Sequence, residues 1–222
     1  MSEPDESAAA LARLVAITRR LRVECPWDRE QDERSIVPHT VEEAYELADA
    51  AGRGDDAKLL DELGDVLFQV VFLSLLLEER DKGSFAEVAE HCRQKLIRRH
   101  PHVFGDVEVE SAGDVLRNWD DIKRGEEGRE PGIFGEVPEN LPGPLYARKL
   151  LRRASSAGVA FDPPRVEDRV GADDFDSVGD LLFAAVARAR ELKVDPELAL
   201  RAAADRFRAD IDSDQEAGSA SE

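Results

Sequence analysis

The chain has 222 residues, enough for one or two domains with a substantial core. With 42% apolar and 36% charged residues it has the balance of a globular protein rather than of a membrane or low-complexity chain. A net charge of −19 argues against non-specific binding to nucleic acid or to an anionic membrane. It leaves a nucleotide substrate open, because a metal and a local basic cluster can reverse the field near a site.

The first ten residues, MSEPDESAAA, are acidic and lack the basic and apolar regions of a signal peptide. No run approaches the roughly 18 apolar residues of a membrane helix. Cys25 and Cys92 lack CxxC spacing, which fits reduced thiols in a cytoplasmic protein.

Residues 7–24 carry apolar side chains at 11, 14, 15, 17 and 21, a helical spacing with Ser7 as N-cap. Cys25-Pro26-Trp27-Asp28 breaks that helix, and a loop is expected to about His39. Thr40 then opens a second helix, with Thr40 and Glu43 matching the capping-box pattern. Gly52 and Gly54 can end it, and Asp55 or Asp56 can cap a third helix running to about Asp81. The core of that third helix, residues 66–77, is apolar nearly all round, so it must be enclosed by other protein. One hairpin cannot do this, and a bundle completed by a second subunit is expected.

Two carboxylate pairs lie on this hairpin, Glu43 with Glu46 and Glu62 with Asp65, each spaced i,i+3 and so sharing a helix face. At about 1.5 Å per residue, Glu46 and Glu62 sit about 9–10 Å from the turn, and Glu43 and Asp65 about 14–15 Å. The pairs therefore meet at matched heights. Four convergent carboxylates repel one another unless a cation lies among them, and all-oxygen ligation favours Mg²⁺, with Mn²⁺ as an alternative, over Zn²⁺. For Glu43 the capping and metal roles compete for one carboxylate.

Beyond the hairpin, Ser84 and Glu87 form a further capping box, opening a helix that carries Lys95 and Arg99. A fifth helix, about 111–124, places Trp119 and Lys123 one turn apart. With Lys58, these cations and the aromatic ring suit a polyphosphate bearing a base. Residues 125–144 are rich in Gly and Pro and read as a linker, and 145–158 as a short basic helix. Residues 176–186, DSVGDLLFAAV, echo residues 61–71, DELGDVLFQVV, at an offset of 115. In that second copy Asp180 matches Asp65, but Ser177, Gly158 and Phe161 stand where Glu62, Glu43 and Glu46 do. The expected organisation is a catalytic domain over 7–124, a linker over 125–144, a degenerate second copy over 145–212 and a disordered tail over 213–222.

Taken together, Glu42-Glu43-x-x-Glu46, the following Glu62-x-x-Asp65, Cys25-Pro26-Trp27-Asp28, ELGDVLFQVVF, RRHPHVF at 98–104 and WDDIK at 119–123 resemble the MazG nucleoside triphosphate pyrophosphohydrolases. The match covers residues 11–124 densely. The resemblance implies an all-α fold, a homodimer around a four-helix bundle, and hydrolysis of nucleoside triphosphates to monophosphate and pyrophosphate, a house-cleaning role. It implies Glu43, Glu46, Glu62 and Asp65 as Mg²⁺ ligands, and Lys58, Lys95, Arg99, Trp119 and Lys123 as nucleotide contacts. Glu42 or Glu46 is the candidate general base. A non-catalytic metal- or nucleotide-binding regulator and a dUTPase-like enzyme are the alternatives.

Overall fold

A computed structural model describes residues 3–126, 132–135, 137–138, 140–159, 165–169, 171 and 173–219. The described residues are helices, turns and coil, with no strand among them, and they fall into two compact units, 1–96 and 97–222.

The first unit holds α1 (Glu3–Glu24), α2 (Pro26–Glu30), α3 (Glu33–Arg53), α4 (Asp56–Glu79) and most of α5 (Phe85–Arg99). Helix α3 begins seven residues earlier than the expected Thr40. Its start is a capping box at Asp32 and Ser35: Ser35 N–H donates to Asp32 Oδ1 at 2.9 Å, and Asp32 N–H donates to Ser35 Oγ at 2.9 Å. Pro38 therefore lies inside the helix, where it cannot donate to the Arg34 carbonyl. That costs about 3 kcal/mol. The cap returns about 1 kcal/mol, and burying Ile36 against Phe72 and Leu76 returns about 1.5–3. Cap and burial together offset the cost, and the segment expected to be loop is helical. Thr40 serves no cap; its hydroxyl donates to Ile36 C=O at 3.3 Å. Glu43 is thus free of the capping role that competed for it.

The α3–α4 hairpin turns where expected. Gly54 has φ +69°, the left-handed conformation that ends α3, and Asp55 caps α4 by accepting from Lys58 N–H at 3.0 Å. Along α4 the buried side is Glu62, Gln69, Val71, Phe72, Ser74, Leu75 and Leu76. Leu60, Leu63, Leu67 and Val70 form an exposed stripe at helical spacing, between 39% and 75% accessible. Arg22 fastens α1 to the far end of α4 through two bonds to the Glu79 carboxylate, at 2.7 and 2.8 Å. The same guanidinium donates to the Asp28 and Gln31 carbonyls and lies over the Phe72 ring.

In the second unit, α7 (Ala112–Arg124) packs on α8 (Gly143–Ser156), and α8, α9 (Phe175–Glu191) and α10 (Pro196–Ser219) pack on one another. Two short turns of helix, α6 (Pro101–Phe104) and a 3₁₀ turn at Val166–Arg169, complete it. Leu151, Val186 and Ala187 are its core, with Ala147 and Phe183 packed against them. Helix α10 runs to Ser219, through most of the stretch expected to be disordered; Gln215, Glu216 and Ala217 are good helix formers. Part of the expected linker, and Phe161, lie outside the described residues.

Candidate active site

Helices α3 and α4 bring three carboxylates together: Glu43, Glu62 and Asp65 each offer an oxygen within 4.8 Å of the others. Glu62 is the unusual member. It is 1% exposed, on the helix face that buries the core. Its Oε1 contacts the Lys58 ammonium one turn earlier, and its Oε2 has no hydrogen-bond partner among the described residues. An orphaned buried carboxylate oxygen costs several kcal/mol unless a cation reaches it. Burial pushes the Glu43 carboxyl above its ordinary range, and the charges of Asp65, Glu46, Glu62 and Glu42 push it further the same way. Both observations fit a divalent cation held by oxygen donors.

Glu46, expected as the fourth ligand, is not part of that trio. It is exposed, and its nearest cation is Lys58 at 3.9 Å. Residues 43 and 46 share a face, but only the one farther from the turn reaches Glu62 and Asp65. Glu42 is exposed and lies 3.7 Å from His39 Nδ1. Glu42, Tyr45, Glu46, Asp49 and Lys58 line one cavity of about 410 Å³. Lys58 also lines a second, with Asp61 and Asp65. Its ammonium is held above the usual lysine range, chiefly by its hydrogen bond to Glu62, so Lys58 stays protonated beside the carboxylates.

The remaining expected contacts divide between the units. Lys95 is half-buried on α5. In the second unit Arg99 is buried and bound to Glu126 through two bonds at 3.0 and 2.6 Å. The Trp119 ring has Arg99, Lys123 and Arg152 cations 5.1, 5.5 and 5.9 Å from its centroid. Arg152 is not among the expected contacts; its guanidinium pairs with buried Asp120 at 3.1 and 3.2 Å. Its only signal was membership of a basic helix. Ser177, which the expected second copy aligns with Glu62, is spent on a capping box with Asp174 in the first turn of α9. Gly158, which the expected second copy aligns with Glu43, has φ +69° just beyond the end of α8.

A family model described as the MazG nucleotide pyrophosphohydrolase domain matches residues 31–104, which include the whole α3–α4 hairpin. The chain is 36% identical over 218 residues to the nucleoside triphosphate pyrophosphohydrolase of Escherichia coli (strain K12), spanning 88% of this chain and 83% of that protein. To the nucleoside triphosphate pyrophosphohydrolase/pyrophosphatase MazG of Thermotoga maritima it is 38% identical over 218 residues, spanning 91% and 84%. An uncharacterised 26.1 kDa protein of Streptomyces cacaoi is 39% identical over 206 residues, spanning 92% and 82%. Agreement of that extent, laid over a helical hairpin with clustered carboxylates, assigns the chain to the MazG nucleotide pyrophosphohydrolase family.

Proposed function

We propose that this chain is a Mg²⁺-dependent nucleoside triphosphate pyrophosphohydrolase that releases a nucleoside monophosphate and pyrophosphate. The observation that carries the reading is the buried, incompletely partnered Glu62 within 4.8 Å of Glu43 and Asp65. Glu43, Glu62 and Asp65 would hold the cation, with Glu46, three residues along α3 from Glu43, as the expected fourth ligand. Mn²⁺ suits the same donors. When bound, the ion supplies Lewis acidity toward phosphate oxygens and lowers the pKa of water.

The chain's own residues supply the rest. Lys58, Lys95, Arg99, Trp119 and Lys123 are the substrate-binding set: Trp119 offers a ring for the base, and the cations neutralise phosphate oxygens. Glu42 or Glu46 accepts the proton of the attacking water. The new bond joins the water oxygen to phosphorus, and the bridging bond between the α and β phosphates breaks. Lys58, protonated beside Glu62, stabilises charge on the departing group.

The exposed stripe Leu60, Leu63, Leu67 and Val70 supports a homodimer in which a second α4 covers it. Residues 7–124 form the catalytic domain in this reading, 125–144 the linker and 145–212 a degenerate copy without a metal centre. House-cleaning of non-standard nucleotides in the cytoplasm is the role that fits, with neither nucleic acid nor membrane as partner. No helix among the described residues is long and apolar enough to cross a membrane.

A panel of NTPs and dNTPs, dUTP included, incubated with protein and Mg²⁺ tests the reading. Monophosphate plus pyrophosphate supports it. Turnover of dUTP alone points to the dUTPase-like enzyme, and metal binding without turnover to the regulator.

A further inference from the structure

We propose that the groove along α8 is a second binding site, one for a phosphate monoester, in which Lys149 takes the phosphate between Arg148 and Arg152. Leu141, Leu145, Arg148, Lys149 and Arg152 line a cavity of about 290 Å³ there. Leu145, Arg148, Lys149 and Arg152 share one face of α8, and Leu141 precedes the helix. That volume is at the small end of ligand cavities, suited to a compact anion with a modest apolar body.

Two of the three cations are already balanced and fixed. Arg148 pairs with Asp195, and Arg152 with Asp120, whose carboxylate is buried. Those pairs hold the guanidinium groups in place. Lys149 differs: it is half-buried and has no carboxylate partner among the described residues. Burial, with the Arg152 and Arg153 charges beside it, holds its ammonium below the usual lysine range. In a chain of net charge −19, an unbalanced, partly desolvated cation that lines one cavity with two paired guanidinium groups is a local exception. Such a group is stabilised by an anion that enters the cavity.

Phosphate is the anion that matches. A phosphate monoester carries about 1.5–2 negative charges and three acceptor oxygens near neutral pH. One oxygen can face the ammonium while the others accept from guanidinium edges. A single carboxylate would leave one or more of these donors unused. Leu141 and Leu145 offer an apolar wall for the alcohol part of the ester. Arg152 also lies over the Trp119 ring, and the proposal does not depend on the function proposed for the carboxylates of α3 and α4.

The test is calorimetric titration of the full-length protein with inorganic phosphate and with a nucleoside monophosphate, in EDTA so that the carboxylate centre plays no part. Wild type should bind at least one of them, and Lys149→Gln should weaken that binding by at least tenfold, while Lys149→Arg restores most of it. Because Lys149 is repelled by its neighbours, ligand-free Lys149→Gln should melt no lower than wild type. Tighter binding of the nucleotide than of phosphate would bring the apolar wall into use; equal binding would leave the phosphate as the recognised group. Failure of wild type to bind either ligand, or equal affinity in Lys149→Gln, would overturn the proposal. A lower melting temperature for Lys149→Gln would also count against it, since Lys149 would then be a packing residue.

Discussion

Replacing Glu62 by Gln separates what the carboxylate does for folding from what it does for a metal. Glu62 is 1% exposed, touches Lys58 through one oxygen, and leaves the other without a hydrogen-bond partner among the described residues. A buried charge so incompletely paired costs several kcal/mol, of which the half-exposed Lys58 offsets a part. Removing the charge at nearly constant volume should therefore stabilise the metal-free protein, by about 1–3 kcal/mol. At roughly 2–4 °C per kcal/mol for a chain of this size, the melting temperature in EDTA should rise by several degrees. In Mg²⁺ at about 100 times its Kd the wild type gains about 2.7 kcal/mol, and the variant should gain almost none. Thermal melts of both proteins, with EDTA and with Mg²⁺, give the four values. If Glu62→Gln were less stable than wild type in EDTA, or gained as much from Mg²⁺, the idea that Glu62 is held strained for a cation would fail.

Three other outcomes follow from the same structure. Glu62→Ala should abolish turnover and Asp180→Ala should leave it nearly intact; comparable losses would mean that Asp180 also belongs to a working site. Arg22 holds the Glu79 carboxyl below its ordinary 4.5, so their pair stabilises the fold above that pH and loses its effect as pH falls through the lowered value. The advantage of wild type over Glu79→Gln, roughly 0.5–1 kcal/mol with Glu79 43% exposed, should be constant above 4.5 and shrink below it in denaturant titrations. An advantage that grew on acidification would refute the assignment. Leu63→Glu, placed in the exposed stripe of α4, should shift the protein to monomer in sedimentation or light scattering, and an unchanged mass would remove the stripe from the interface.

What the sequence could reveal was decided by the range of the interactions. The hairpin turn was legible because it is local: a left-handed Gly54 followed by the Asp55 cap is written in adjacent residues. The period of α4 likewise announced an apolar helix that one partner could not cover. The start of α3 departs from the expected Thr40 because the Asp32–Ser35 cap and burial of Ile36 against α4, a contact far along the chain, outweigh the Thr40–Glu43 pattern. Glu46 shows the limit of helix geometry alone. Spacing put it on the same face as Glu43, but whether a side chain reaches a partner depends on how the two helices cross, which spacing does not encode. The Arg22 clamp and the Arg152–Asp120 pair join residues far apart in sequence and had no local signature.

The most direct test of the central claim is the identity of the products. Full-length protein with Mg²⁺ and each nucleoside triphosphate, resolved by ion-exchange chromatography, should give monophosphate and pyrophosphate in equal amounts, and Glu62→Ala should give neither. Diphosphate and inorganic phosphate from the wild type would place the cleavage at the wrong bond and contradict the account.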